Sequence, residues 1–440
     1  MKTTRSRTPW LCACLVLLAS GAAAENWPQW RGPLFNGSTT ETGLPTKFSP
    51  SENVAWTADL PGAGGSTPIV WDDSVFITAQ EAQSRKLWAV CLNRSDGTVR
   101  WRKAMGTGFT NRQGNTGASP SAITDGKTVW FYFGTGELAA FDFRGTEIWR
   151  RNISKDHGPF EILWDYGATG LLHAGKLYVP VIHGAIRRGG RRRGGPAPSG
   201  QGGKSFLLCV EPATGRDVWK RPRPSAAPFE AKQAYTTPIP CELGGRKMIL
   251  VTGADHVTAH DAASGKELWR SPTYNPRKDR NYRTVVSPVV ADRMVMACPP
   301  RGAQRLYGAA IGQAAEAWAW EKRAPSPDVC TPLFYRGRLF VLAGIRKKML
   351  CLDPKTGGTI WEGDLETRSI FQASPTGADG KIYCLSMKGE AVVLSAGDRL
   401  DVLHRASMGG SGVRSTIAAA GGQLFLRTDT KLYCIGKRKG

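Results

Sequence analysis

Cations dominate the residues of this 440-residue chain that could do chemistry. Arg187, Arg188, Arg191, Arg192 and Arg193 stand among glycines and prolines at 184–203, Arg277, Lys278, Arg280 and Arg283 lie close together, and Arg346, Lys347 and Lys348 are consecutive. Such groups draw in anions and speed encounter with acidic partners. Left as mere solvated charge, they do nothing specific. Two stretches imitate enzyme motifs. Gly170-Leu171-Leu172-His173-Ala174-Gly175-Lys176-Leu177 resembles a phosphate-binding loop but has Leu where Ser or Thr is required. His256 and His260 have a spacing that would hold one metal if they sat on a helix. No G-x-S-x-G elbow and no Cys-x-x-Cys occurs. A scattered Ser/His/Asp triad stays open.

Whether any of these can act depends on the elements that carry them, and those elements repeat. A Gly stands four residues before a Trp in Gly97/Trp101, Gly145/Trp149, Gly215/Trp219, Gly265/Trp269 and Gly357/Trp361. Each pair follows a short apolar run ending in Asn93, Asp142, Glu211, Asp261 or Asp353. That pattern is strand, tight turn with Gly at positive φ, then a strand bearing Trp. Upstream lies a small residue, usually before Pro: Thr67-Pro68, Ser119-Pro120, Thr169-Gly170, Thr237-Pro238, Ser287-Pro288, Thr331-Pro332, Ser374-Pro375 and Ser415-Thr416. A strand, a two-residue turn and another strand follow each marker. The markers recur every 41 to 68 residues, about the length of a four-stranded blade.

The sequence therefore predicts an all-β fold over 53–436, an eight-bladed β-propeller of four-stranded antiparallel blades with strands A to D in each. The eighth unit ends at Leu432-Tyr433-Cys434-Ile435 without a Trp strand, and Val54-Ala55-Trp56 is such a strand without its blade. Pairing the two should close the ring, with Trp56 joining Trp101, Trp149, Trp219, Trp269 and Trp361 as the structural tryptophans of the repeat. The fifth unit has Trp318 and Trp320 without the spaced Gly, and the seventh puts His404 in the Trp position, so those blades are expected to pack less regularly. On this scaffold Gly170–Leu177 is an A–B hairpin and His256/His260 lie on a C strand, so neither motif has its helix.

In a propeller the B–C and D–A connections share a face, and here that face carries the long loops, 106–118, 151–168 and 272–286 among them. Long loops on a rigid scaffold are the usual seat of function. Arg85, Lys86, Arg301 and Arg305 lie in B–C loops of the same face, as do Arg346–Lys348 and the 184–203 insertion, so it should be strongly positive. Strand A lines the channel, so the residues before each marker should rim its mouth. These are Arg112 and Asn115 before the second blade, Trp164, Asp165 and Tyr166 before the third, and Lys232 and Tyr235 before the fourth. Arg280, Tyr282 and Arg283 precede the fifth, Gln372 the seventh and Arg414 the eighth. Mixed aromatic and cationic groups at a concave mouth suit a planar or sugar-like anionic ligand, unless the aromatics simply plug the channel. With Asp165 and Asp328 as its carboxylates, this rim has more cations than acids and disfavours Ca²⁺.

Residues 1–24 read as a Sec-type signal peptide, with cationic Lys2, Arg5 and Arg7, an apolar stretch from Leu11 to Leu18 and Ala22-Ala23-Ala24 at the cleavage site. Cleavage near Ala24 would deliver the protein to the periplasm or the exterior, with 25–52 as an N-terminal extension. The apolar stretch is below the ~20 residues of a span, and no later segment approaches that length. Net charge is +23; the three leader cations leave +20, which favours acidic partners. Nucleic acid would suit such a charge. Export argues against it, and a monomer is expected. Two of the ten Cys fall in the leader. Cys91, Cys209, Cys351 and Cys434 hold one place in four repeats, which the fold should keep apart, so buried free thiols are expected rather than disulfides.

The repeat resembles the PQQ-like propeller repeat (PQQ, pyrroloquinoline quinone) of quinoprotein dehydrogenases and BamB-type outer-membrane assembly lipoproteins. The opening Asn26-Trp27-Pro28-Gln29-Trp30-Arg31-Gly32-Pro33 is similar to the start of exported bacterial single propellers. The resemblance covers nearly all of 26–436 and is specific for fold, which carries many activities. It implies two readings. One is a non-catalytic scaffold, BamB-like in envelope assembly, that binds an anionic glycan or other anionic ligand or an acidic envelope protein and needs no cofactor. The other is a PQQ-dependent dehydrogenase oxidising an alcohol or sugar, with quinone in the funnel, Ca²⁺ held by carboxylate and amide oxygens, and a carboxylate base. Such enzymes commonly carry adjacent cysteines against the quinone. This chain has no Cys-Cys pair and no Cys-x-x-Cys-His, so the scaffold reading leads. No Cys follows the leader's small residues, which leaves a BamB-type lipid anchor without its attachment site.

Overall fold

Short apolar runs bounded by Gly and Asp turns form the strands. In the first blade Ile69–Trp71, Ser74–Gln80, Lys86–Asn93 and Val99–Thr107 pair in chain order as strands A to D. The computed structural model describes residues 26–109, 114–184, 204–299, 304–312 and 316–437; the expected signal peptide, Arg112, Arg301 and the arginines of 185–203 lie outside them. Among the described residues eight such four-stranded antiparallel sheets form a propeller, and the only helical pieces are Ile153–His157 and a 3₁₀ turn at Phe229–Lys232. Middle strands are covered on both faces by neighbouring blades, so Ser74–Gln80 is buried throughout, whereas the outer Val99–Thr107 is largely open.

The ring closes through its termini. Val54–Asp59 runs antiparallel to Lys431–Ile435, with Trp56 opposite Cys434, and so supplies strand D to the blade of Ala418–Ala420, Gln423–Arg427 and Lys431–Ile435.

The Gly–Trp spacing is explained by contact between blades. Among the described residues five of the Trp rings cover the turn glycine of the following blade: a Cβ on Gly97 would lie 2.4 Å from Trp56, one on Gly145 2.8 Å from Trp101, and one on Gly215 2.6 Å from Trp149, with Trp219 over Gly265 and Trp320 over Gly357 in the same way. In four of them the indole N–H donates to a carbonyl of that turn, Trp56 to Arg94 at 2.7 Å, Trp101 to Phe143 at 3.0 Å, Trp149 to Pro212 at 2.7 Å and Trp320 to Pro354 at 3.0 Å. Glycine is needed twice over, since Gly97 also has φ +76°. The Cys expected at one place in four repeats sits opposite this Trp in each, and all eight described cysteines are free thiols.

The two irregular units keep the arrangement. Trp320 covers Gly357 of the sixth blade and donates to Pro354 at 3.0 Å, so the fifth blade lacks only its own turn glycine. The seventh blade faces the eighth, which borrows strand D from the N-terminus and so has no C–D turn for a Trp to cover. His404 instead meets the incoming segment, its ring 5.5 Å from that of Phe48 and its Nε2 2.7 Å from the Phe48 carbonyl oxygen.

Residues 26–48 cross the channel at the A–B turns. Trp27 exchanges backbone hydrogen bonds with Val70 of the first blade, Pro28 accepts from Thr124 of the second, and Gly37 accepts from Gly377 of the seventh. Between them Arg31 is wholly buried and donates to the carbonyls of Asn36 and Pro332 at 2.8 Å and Pro375 at 3.4 Å. Burial pulls its pKa down to about 9.

Around the channel, six marker hydroxyls accept the amide of the preceding blade: Thr67 to Ser121, Ser121 to Thr169, Thr169 to Thr237, Thr237 to Ser287, Ser287 to Thr331 and Thr331 to Ser374, all at 2.9 to 3.1 Å. The second blade's marker is therefore Ser121 rather than Ser119-Pro120. What the position requires is a hydroxyl, and proline is incidental.

Candidate functional site

The strap of 26–48 turns the channel into a funnel of about 690 Å³, open toward the D–A loops, with Trp30 among its lining residues. Eight of the sequence-derived rim residues meet there: Asn115, Trp164, Asp165, Tyr166, Tyr235, Arg283, Gln372 and Arg414. They converge because each directly precedes an inner strand.

Trp164 is the best-held of them. Its indole N–H donates to Glu230 at 2.7 Å, its peptide N–H to the Tyr235 hydroxyl at 3.1 Å, and its carbonyl accepts from Asn115 at 3.2 Å. The Arg283 guanidinium lies 5.9 Å from its ring centroid, with Glu230 at 3.7 Å and Asp328 at 4.0 Å. On the far wall Arg414 donates to Gln372 at 2.9 Å and to the Gly412 carbonyl at 3.0 Å, and burial lowers its pKa. Tyr235 is pushed well above the ordinary tyrosine range by burial, which keeps it a neutral donor.

Other rim expectations fare differently. Tyr166 is 2% exposed; its hydroxyl donates to Pro180 at 2.6 Å and its ring packs on Phe160, so it belongs to the blade core more than to the mouth. Lys232, Arg280 and Tyr282 do not line the funnel. Lys232 lies against Gly184, and Arg280 stacks 3.5 Å from the Phe229 ring centroid on the loop surface. The basic face is also partly neutralised, since Arg305 pairs with Glu321 and Lys348 with Glu362 at 3.1 Å. His260 is buried on strand C, bonded to Thr258 and the Gly265 carbonyl, and burial lowers its pKa to about 4. Gly170–Leu177 is the hairpin of Leu171–His173 and Lys176–Val181.

Two groups that shape the funnel escaped the sequence reading, Glu230 by holding the Trp164 indole and Trp30 by lining the cavity. Glu230 precedes the fourth blade, where the rule that selected Lys232 applies equally to it. Trp30 comes from a segment outside every repeat, and nothing in its spacing marks it as the funnel's floor.

The chain matches, over residues 38–179 and 203–440, the family described as outer membrane protein assembly factor BamB. It belongs to that family. Solved structures agree on the fold of this BamB-family chain. BamB from Moraxella catarrhalis superposes with a TM-score of 0.57 at 14% identity, over 87% of this chain and 98% of the other. The quinohemoprotein alcohol dehydrogenase from Comamonas testosteroni gives 0.67 at 11% identity, over 94% and 81%. A europium-containing methanol dehydrogenase gives 0.65 at 10%, over 91% and 89%. No curated protein sequence matches the BamB-family chain significantly.

Proposed function

We propose that this BamB-family propeller is a non-catalytic binding protein of the bacterial envelope, exported through its leader, that holds an anionic ligand or acidic partner at the open mouth of its funnel. The observation that carries the reading is a funnel whose mouth presents Arg283 against the fixed aromatic face of Trp164, with Arg414 also in its lining. A guanidinium next to an aromatic ring suits carboxylate-bearing ligands. Family membership supports an envelope setting.

The residues fit a quinone with Ca²⁺ poorly. Among the described residues no three His, Cys, Asp or Glu come together as a metal-binding group, and Arg283 already faces the Asp328 carboxylate. We therefore expect no cofactor.

A pull-down from envelope extract tests the proposal. Partners should be retained at low salt and released at high salt, because exposed charges are screened within ~10 Å at about 0.1 M ionic strength. If PQQ with Ca²⁺ raised the melting temperature and gave dye-linked alcohol oxidation, the binding-protein reading would be abandoned.

A further inference from the structure

The cations of the loop face are spread round the ring. Arg85 and Lys86 lie at the B–C connection of the first blade, Arg277 and Lys278 between the fourth and fifth blades, Arg346 at the B–C connection of the sixth, and Arg368 between the sixth and seventh. All six are exposed, and none forms an ion pair among the described residues. In a ring of eight, the first and fifth blades stand opposite each other. A short acidic segment bound on one side therefore leaves the cations of the other side without a counter-charge. A broad, flat anionic surface meets both.

Apolar tips accompany these cations. On the loop face Phe229 is 41% exposed and Ile345 36%. Phe229 stands between the third and fourth blades, where the Arg280 guanidinium of the next loop stacks 3.5 Å from its ring centroid and the Ala231 N–H donates to the Arg280 carbonyl at 3.1 Å. Its φ of +44° is a left-handed conformation that a bulky L-residue holds only under strain. Ile345 is at the B–C connection of the sixth blade, next to Arg346. Each tip thus has a cation at its side. That combination suits the boundary of a bilayer, where an apolar group enters beneath the headgroups and its charged neighbour stays with the phosphates.

Resting on the reading that this face meets anions, we infer that the loop face docks on an anionic lipid bilayer, with Phe229 and Ile345 entering the headgroup layer and the surrounding cations meeting lipid phosphates. Because the funnel opens toward the same loops, its mouth then faces the membrane.

Sedimentation of the whole protein with large vesicles tests the inference, using phosphatidylcholine alone and an equal mixture of phosphatidylcholine and phosphatidylglycerol. The protein should sediment with the anionic vesicles at low salt, come off at high salt and ignore the neutral ones. Each cation at an anionic bilayer adds about fivefold in partitioning, so Arg85→Gln with Lys86→Gln, and separately Arg277→Gln with Lys278→Gln, should lower binding roughly 25-fold. Lys127→Gln with Lys266→Gln removes the same charge from exposed A–B and C–D turns of the opposite face and should leave binding unchanged. Phe229→Ser and Ile345→Ser should each weaken it severalfold with Tm unaltered. On the unaltered protein, where no variant has to fold, anionic vesicles should slow amide exchange at 277–281 and 345–346, and unchanged exchange there would overturn the docking. Equal loss from the Lys127/Lys266 pair would show attraction by net charge alone and overturn docking through this face. Loss confined to one side of the ring would replace the flat surface with a local acidic partner. No binding to anionic vesicles, with acidic envelope proteins still captured and released by salt, would overturn the lipid assignment alone. Equal binding to both kinds of vesicle would overturn the anionic reading beneath it as well.

Discussion

Replacing Gly97 by alanine places a carbon 2.4 Å from Cε3 of Trp56, in a turn where φ is +76°. Two costs add. A left-handed conformation costs an L-residue about 1–2 kcal/mol, and forcing a methyl group into a packed contact about 1–3 kcal/mol. Gly175, in an A–B turn with φ +70° and nothing within 4 Å, isolates the first cost. At ~2.1 cal/mol/K per residue over ~400 residues, the unfolding entropy is about 0.8 kcal/mol/K, so Gly97→Ala should lower Tm by roughly 2–6 °C and Gly175→Ala by roughly 1–2 °C. Trp56→Ala removes the ring that causes the clash. In the double variant the Gly97 substitution should therefore retain only its conformational cost, giving a coupling of about 1–3 kcal/mol. Scanning calorimetry of the four proteins measures this. Equal losses at Gly97 and Gly175, or strict additivity of Gly97→Ala and Trp56→Ala, would show that the ring-on-glycine contact does not lock the blades.

Arg31→Leu leaves buried carbonyls of Pro332 and Pro375 without their donor and should cost about 1–3 kcal/mol, with earlier proteolytic cleavage within 26–53; an unchanged cleavage rate would separate Arg31 from anchoring the strap. Asp255 is 5% exposed, and its burial raises its pKa to about 6 even though Asn275 donates to both carboxylate oxygens. The folded state thus holds a proton that the unfolded state releases near pH ~4, so stability should fall as pH rises from about 4 to about 6. Asp255→Asn should flatten that slope in denaturant titrations, and an unaltered slope would assign it to other groups. In thiol titration of the mature protein, half-buried Cys241 should label first and all eight cysteines only in denaturant, with reductant leaving Tm unchanged; a reductant-sensitive Tm would indicate a disulfide.

The propeller was legible because its lock is written twice per repeat, as a Trp in one blade and a Gly in the next, at a spacing set by one turn and one strand. Gly145 and Trp149 belong to one unit by sequence, yet each contacts a different neighbour, Gly145 meeting Trp101 and Trp149 meeting Gly215. Local spacing thus reported a contact between blades. The same logic accounts for His404, since a unit facing the closure blade has no turn glycine to cover. The rim was legible as far as chain position fixes it. Lys232 and Arg280 precede inner strands yet lie outside the funnel because the loop between the fourth and fifth blades folds over the surface, with Ala231 donating to Arg280 and Tyr274 to Asp255.

The floor was not legible, and the reason is physical. Residues 26–48 make single bridges to several blades instead of a ladder with one, so they carry neither strand alternation nor helical period. Their specificity lies in backbone carbonyls and in one buried guanidinium, which leave no pattern of side-chain types. Yet this segment decides what the channel can hold. Without Trp30 and Arg31 across its base, the same eight blades and the same arginines would surround an open pore, through which a long anionic chain could pass. With Trp27, Pro28, Arg31 and Gly37 bonded to four blades across that end, the described residues leave the approach to Trp164 and Arg414 on the D–A loop side.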